Sequence, residues 1–173
     1  MTDDADDAGH AEQVARALSS PLRLRILRLC RFESRTNKEL AALLRVNPGT
    51  MLHHVRALVD AGLLAAQTER TGARGSREVP YLSTGLSWRA PGPPNQSVVL
   101  LETMRQQLEG VDPAAIHVSW LGLRLTAEHK QELDDRLVEL LEEFMQRDPD
   151  PDGEAYSLVV VTHPENNPPA TGT

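Results

Sequence analysis

The sequence predicts an α+β fold, in which a mostly helical N-terminal domain ends in a β-hairpin and a smaller helix plus β-α-β region follows. Apolar residues recur at helical spacing in four segments before residue 62. Two extended segments then bracket a glycine-rich loop, and a proline-rich stretch divides the chain. We expect a disordered acidic N-terminus at 1–9, a domain at 10–85, a linker at 86–97, a C-terminal region at 98–162 and a disordered tail at 163–173.

Charge is distributed unevenly along the 173 residues. The whole chain has a net charge of −7, which argues against a protein that coats nucleic acid by bulk charge. Residues 10–90, however, contain 13 basic and 6 acidic side chains, for a net charge of +7, whereas residues 91–173 contain 5 and 15. A basic segment beside an acidic one suggests a nucleic-acid partner for the first half.

Composition excludes several classes of protein. Six aromatic residues are too few for a base-stacking platform, and the single Cys30 excludes intrachain disulfides and multi-cysteine metal sites. There is no apolar run of membrane-spanning length, and the first ten residues have none of the features of a signal peptide, so we predict a cytoplasmic protein. The sequence has no nucleotide-binding or hydrolase motif, and we therefore predict that it is not an enzyme and has no cofactor.

Capping signals delimit the helices of the first domain. A first helix is predicted over about 10–18, and three later helices open at Ser20-Pro21, at Thr36 with Glu39, and at Asn47-Pro48. Two extended segments, 63–68 and 78–83, then bracket the loop 71–77 as a hairpin. This order places two helices and a short turn directly before a glycine-tipped hairpin.

The fourth predicted helix, residues 47–61, has two different faces. Its apolar stripe, which we expect in the core, consists of Met51, Val55, Leu58 and Gly62. The opposite face carries Gly49, Thr50, His53 and Arg56. Polar residues near the N-terminal end of such a helix are suited to contact base edges and phosphates in a major groove.

Four stretches of the sequence carry a family resemblance. NPGTMLHHVRALVDAGLL (47–64) and TGARGSREVPYLSTG (71–85) resemble the winged helix-turn-helix domain of ArsR-like bacterial transcription regulators, over about residues 12–89. LRLTAEHKQELDDRLVELLEEF and DPDPDGEAYSLVVV resemble the C-terminal extension of a subgroup. The resemblance implies a sequence-specific regulator of transcription that binds double-stranded DNA, with helix 47–61 in the major groove and wing 68–78 on the flank.

Five residues are candidate DNA contacts. On the fourth helix, Thr50 and Arg56 are suited to a phosphate, Arg56 also to a guanine edge, and His53 to a base edge. Near the wing tip, Arg74 and Arg77 are suited to a minor groove or backbone. Leu52 departs from the polar residue that many relatives have there; it either packs on a thymine methyl group or extends the core. For the flanking His54 we expect a structural role.

A metal site is not expected. Many ArsR-like repressors sense metals through cysteine pairs or through Asp and His side chains shared across a dimer. Residues 36–44, where the cysteine site would lie, contain no cysteine, and His117, His129 and His163 are scattered along the chain. His53 and His54 are adjacent, so they point about 100° apart and cannot share a metal as an i, i+4 pair can. Cys30 lies on an apolar helix face, where we expect a buried small side chain.

The C-terminal region is predicted to hold strands at 115–125, with a bulge beside Gly122, and at 156–161, around a long helix from about 126 to 147. Two parallel strands do not make a stable sheet. We expect them to pair with a second copy in a homodimer or to pack against the winged domain, with an effector pocket between domains as a further possibility. The alternative function is a winged protein-interaction module that does not bind DNA; Arg56, Arg74 and Arg77 favour the DNA-binding interpretation.

Overall fold

A computed structural model describes residues 3–72, 75–88, 90 and 92–166, and the chain divides into two units at residues 1–111 and 112–173. In the first unit, the helices and strands follow in the order α1 (Asp3–Leu18), α2 (Pro21–Leu29), β1 (Arg35–Thr36), α3 (Asn37–Leu44), α4 (Pro48–Asp60), β2 (Leu64–Ala66), β3 (Arg70–Thr71), β4 (Arg77–Glu78), β5 (Pro80–Ser83) and α5 (Gln96–Gln107). A short 3₁₀ helix, Leu86–Trp88, lies between β5 and α5. The predicted α+β class is confirmed.

Helix α1 is longer than the predicted segment 10–18. It begins at Asp3, so residues 3–9, predicted to be disordered, continue the helix. Residues 1–2, and residues 167–173 of the predicted tail, lie outside the described part of the chain; residues 163–166 have no regular structure.

The predicted caps of α3 and α4 form. Thr36 Oγ1 accepts a hydrogen bond from the Glu39 amide (3.2 Å), and Glu39 Oε2 accepts one from the Thr36 amide (2.7 Å), which completes a capping box. Asn47 Oδ1 accepts the Gly49 amide (2.8 Å), with Pro48 in the first turn of α4. At α2, Ser20 is extended but its side chain makes no capping bond, so the start of this helix relies on Pro21.

The hairpin forms an antiparallel sheet with the order β1-β5-β2. Leu64 pairs with Ser83 and Ala66 with Tyr81, while β1 adds a third strand that the sequence did not predict. Beyond this sheet, β3 and β4 form a separate two-residue ribbon, and residues 67–79 are named the wing here. The ribbon extends the hairpin away from the core.

The core of the first unit is one apolar cluster around α4. The largest fully buried side chains are Ile26, Cys30, Leu40, Met51, Val55, Leu58 and Leu63. Met51, Val55 and Leu58 are therefore core residues as predicted, whereas Gly62 is exposed and instead follows the end of α4 with a φ of +68°. Cys30 is buried as predicted, and burial raises the pKa of its thiol to about 11.

Helix α5 belongs to the first unit, although the sequence assigned residues from 98 onward to the C-terminal region. It packs on α2 and buries Val99 and Thr103, and the Thr103 hydroxyl donates to the Val99 carbonyl at 2.7 Å. Its outer face keeps Val98 largely exposed and Leu101 partly exposed. Within the described part of the first unit, nothing covers this face of the helix.

The second unit contains one long helix, α6 (Ala127–Gln146). The predicted cap forms at its start, where the His129 amide donates a hydrogen bond to Thr126 Oγ1 at 3.2 Å. The predicted strands are wrong: residues 116–125 and 156–161 form no strand, so no bulge exists at Gly122. A strand needs a hydrogen-bonded neighbour, and neither segment has one among the described residues. Residues 112–166 contain no buried side chain, and Trp120 is 87% exposed. Within the described residues, no helix is long and apolar enough to cross a bilayer.

Candidate nucleic-acid interface

Helix α4 separates its apolar and polar residues onto opposite faces. Met51, Val55 and Leu58 are fully buried and anchor the helix in the core. Thr50, His53 and Arg56 are all exposed on the other side. Because the core holds one face rigidly, these three side chains are presented outward along the N-terminal half of the helix.

The first turn of α4 is tied to α3. Asn37 Nδ2 donates to the Pro48 carbonyl at 3.0 Å, and Asn47 caps the helix. The exposed N-terminal end carries the positive end of the helix dipole, which favours an anion such as a phosphate beside Thr50. These two bonds therefore hold the turn between α3 and α4 in place beside the exposed N-terminal end of α4.

Arg56 makes no ion pair with any described residue, so its guanidinium is available to an external acceptor. The His53 ring lies edge-on to His54 at 5.8 Å. His54 is half-buried, and burial, with Arg23 and His53 nearby, lowers its pKa, in keeping with a structural side chain. Leu52 is half-buried on the flank of the helix.

The wing presents Arg77. Its side chain is 88% exposed, and its Nε lies 3.3 Å from the Glu69 carboxylate. An exposed ion pair of this kind contributes at most about 1 kcal/mol, so a phosphate can displace Glu69 at small cost. Arg74, the other predicted wing contact, lies outside the described residues.

Sequence reasoning missed one pair near this surface. Arg70 Nη2, in β3, donates to Glu39 Oε1 at 2.5 Å. The Thr36 amide bonded to Glu39 lowers the pKa of that carboxyl, and the Arg70 charge lowers it further. The capping-box spacing indicated the bond to Thr36, but no sequence signal indicates a partner 31 residues away.

The described residues contain no group of three or more His, Cys, Asp or Glu side chains arranged to hold a metal ion. The arrangement of α4 and the wing instead offers guanidinium groups, a hydroxyl and a helix N-terminus on exposed faces. These are donors suited to phosphate oxygens and base edges.

The three-stranded sheet, the α3–turn–α4 pair and the hairpin wing define a winged helix-turn-helix domain. The family described as "Helix-turn-helix domain" matches residues 18–66, from the end of α1 to the end of β2. The prediction of this domain is confirmed. Helix-turn-helix domains bind DNA through the second helix of the motif, which is α4 in this chain.

Solved structures with similar folds include regulators of two named groups. An ArsR-like transcriptional regulator from Rhodococcus sp. RHA1 is 19% identical, with 83% of this chain and 98% of that chain covered and a TM-score of 0.40. A homodimeric winged helix-turn-helix DNA-binding domain from Mycobacterium bovis, a possible ArsR-family regulator, is 22% identical (63% and 92% covered, TM-score 0.42). A MarR protein from Peptoclostridium difficile is 15% identical (83% and 82%, TM-score 0.36). No curated protein sequence matches the chain significantly.

Proposed function

We propose that this chain is a homodimeric transcription regulator, similar to the ArsR-like group, that binds a specific double-stranded DNA sequence. The observation that carries the proposal is the exposed face of α4, where Thr50, His53 and Arg56 lie opposite a fully buried apolar stripe. The proposal also places the protein in the bacterial cytoplasm and assigns it neither a metal nor an enzymatic activity.

In the proposed complex, α4 enters the major groove. Arg56 reaches a phosphate or a guanine edge, His53 reaches a base edge, and Thr50 and the helix N-terminus receive a phosphate. The wing follows the backbone or the minor groove on the flank, where Arg77 and Arg74 supply positive charge. The acidic second unit, with most of the chain's negative charge, disfavours adhesion to DNA outside this surface.

A homodimer presents two copies of α4 to a palindromic site with half-sites about one helical turn apart. In this proposal the second unit supplies part of the dimer contact through two unpaired segments, residues 116–125 and 156–161. Together they contain one charged residue, Arg124, so that bringing two copies together creates little repulsion between like charges.

The area of these segments is sufficient for such a contact. Their ten exposed apolar side chains present on the order of 1,000 Å² per chain, comparable with the roughly 800 Å² that each partner contributes to a standard interface. The side chains are Val118, Trp120, Leu121, Leu123, Leu125, Tyr156, Leu158, Val159, Val160 and Val161.

Selection of bound duplexes from a random library tests the DNA-binding part of the proposal. Enrichment of a palindrome supports it. Failure to enrich any sequence, with no duplex binding at low salt, would favour the alternative of a winged protein-interaction module.

Sedimentation tests the dimer contact. We expect the full chain to be dimeric at micromolar concentration and Trp120→Ser with Leu158→Ser to shift it toward monomer. Phe32→Ser, which changes an exposed aromatic residue of the first unit, is the matched control. A variant that remains as dimeric as the control would exclude the second unit as the interface.

A further inference from the structure

Glu39 bonds to two different parts of the winged domain. One carboxylate oxygen accepts from the Thr36 amide (2.7 Å) at the start of α3, and the other accepts from Arg70 (2.5 Å) at the base of the wing. Both side chains of the ion pair are a little under half exposed. The carboxylate therefore joins α3 directly to β3.

The wing has little other support. The β3–β4 ribbon is two residues long on each side, and no side chain from residue 67 to residue 79 is buried, residues 73 and 74 lying outside the described part. The ion pair of Arg70 with Glu39 links the wing directly to a helix. No fully buried side chain of the described wing residues therefore anchors the ribbon in the core.

The same turn of α3 also contacts the DNA-recognition helix. Asn37, two residues before Glu39, donates to the Pro48 carbonyl in the first turn of α4 at 3.0 Å. Side chains of this one turn thus bond to both elements, Glu39 to β3 and Asn37 to α4. The first turn of α3 lies between the two DNA-contacting elements of the proposed complex.

We propose that Glu39 and Arg70 are positioning residues, which hold the wing at the angle where Arg77 reaches the DNA flank while α4 occupies the major groove. This inference rests on the proposed function. It makes Arg70 a support of the wing and not a phosphate contact, because its guanidinium is directed to Glu39.

The proposal predicts a change in DNA affinity opposite to the one that charge alone would cause. Removing a carboxylate from a DNA-binding face normally strengthens binding, since one repulsive charge disappears. In Glu39→Gln, the single amide oxygen can keep the bond from the Thr36 amide, but the side-chain NH₂ group then faces Arg70 and the ion pair is lost. We therefore expect Glu39→Gln to weaken binding.

The test compares Glu39→Gln, Arg70→Gln and the double variant by anisotropy and hydroxyl-radical footprinting on the selected duplex. Glu33→Gln is the matched control, because Glu33 is an exposed carboxylate 2.7 Å from Arg35 in the same domain. We expect each single variant to bind about threefold or more weakly, which corresponds to the upper range of an exposed ion pair. The double variant should bind DNA no more weakly than either single variant. In the footprints, the variants should lose protection of the flanks of the duplex and keep protection of its centre.

Other binding results would overturn the proposal. One such result is tighter DNA binding by Glu39→Gln, combined with a salt slope that becomes shallower by about 0.9 in Arg70→Gln alone. This combination would identify Arg70 as a phosphate contact. Wild-type affinity and footprint in both single variants would leave the pair with a structural role only.

A measurement without DNA separates this inference from the proposed function. Spin labels at Asp60→Cys and Ser76→Cys report the distance between the end of α4 and the wing, and the buried Cys30 thiol is shielded from the label. We expect Glu39→Gln to broaden the distance distribution and Glu33→Gln to leave it unchanged. An unchanged distribution in Glu39→Gln would refute the inference even if the protein binds no DNA.

Discussion

Replacing Arg56 by glutamine removes the proposed guanidinium contact of α4 with DNA. Arg56 is exposed and pairs with no other described residue, so we expect the free energy of unfolding to change by no more than about 0.5 kcal/mol. A loss of DNA affinity in this variant therefore reports on the contact and not on folding. Arg136→Gln is the matched control, since Arg136 is an exposed arginine of α6 whose ion pair with Glu132 is long, at 3.7 Å.

The size of the effect depends on what Arg56 touches. Each phosphate contact contributes about −0.9 to the slope of log K against log salt, so two copies of Arg56 account for about −1.8. Between 50 and 200 mM salt, each such contact makes an approximately 3.5-fold difference in affinity. A bidentate bond to guanine instead contributes about 1–3 kcal/mol of discrimination, or roughly 5- to 150-fold per half-site.

Anisotropy titrations of the selected duplex between 50 and 200 mM KCl distinguish these cases. A phosphate contact predicts weaker binding to every sequence and a shallower salt slope, whereas a base contact predicts loss of preference at one base pair in each half-site. If Arg56→Gln binds with the affinity, slope and sequence preference of Arg136→Gln, the assignment of α4 as the DNA-reading helix is refuted.

Three further predictions concern stability and reactivity. Thr36→Ala removes the capping hydroxyl of a buried residue and should lower the free energy of unfolding by about 1–2 kcal/mol in urea melts. Ser34→Ala is a nearby control, and an unchanged urea midpoint in Thr36→Ala would refute the role of the cap. Arg45 ends α3 with a φ of 54°, a left-handed conformation that is strained for arginine and not for glycine. Arg45→Gly should therefore raise the free energy of unfolding by about 0.5–1 kcal/mol. A lower free energy of unfolding would contradict this explanation. Burial raises the pKa of Cys30 to about 11 from 9.0, so the thiol stabilises the fold fully below pH 9, and this contribution is lost as the pH rises toward 11. The folded protein should accordingly resist Ellman's reagent at pH 8 and react in urea, and rapid reaction without urea would show that Cys30 is accessible.

The winged domain was predictable because its signals are local. Capping residues at Thr36 and Asn47, the apolar spacing of α4, and glycines in the loop each act within a few residues of the feature they specify. The exposed positions of Thr50, His53 and Arg56 followed directly from the helical period once the buried stripe was identified. Their contacts with DNA remain predictions.

The features that sequence reasoning missed depend on distant partners. Strand β1 exists because Arg35 and Thr36 meet Tyr81 and Pro80, more than 40 residues later, and two residues carry no strand pattern of their own. The Arg70 partner of Glu39 is equally remote in sequence. In the second unit, by contrast, the sequence predicted strands that the structure does not contain. Alternating and apolar patterns indicated strands at 115–125 and 156–161, but a pattern alone does not supply the neighbouring strand that a sheet requires.

The central claim, that α4 and the wing form a DNA-binding surface, is tested most directly by the salt dependence of wild-type binding to a selected duplex. Arg56 and Arg77 from two copies make four phosphate contacts, which predict a log–log slope of about −3.6 or steeper. A slope near zero, or no binding to any duplex at 50 mM salt, would contradict the claim.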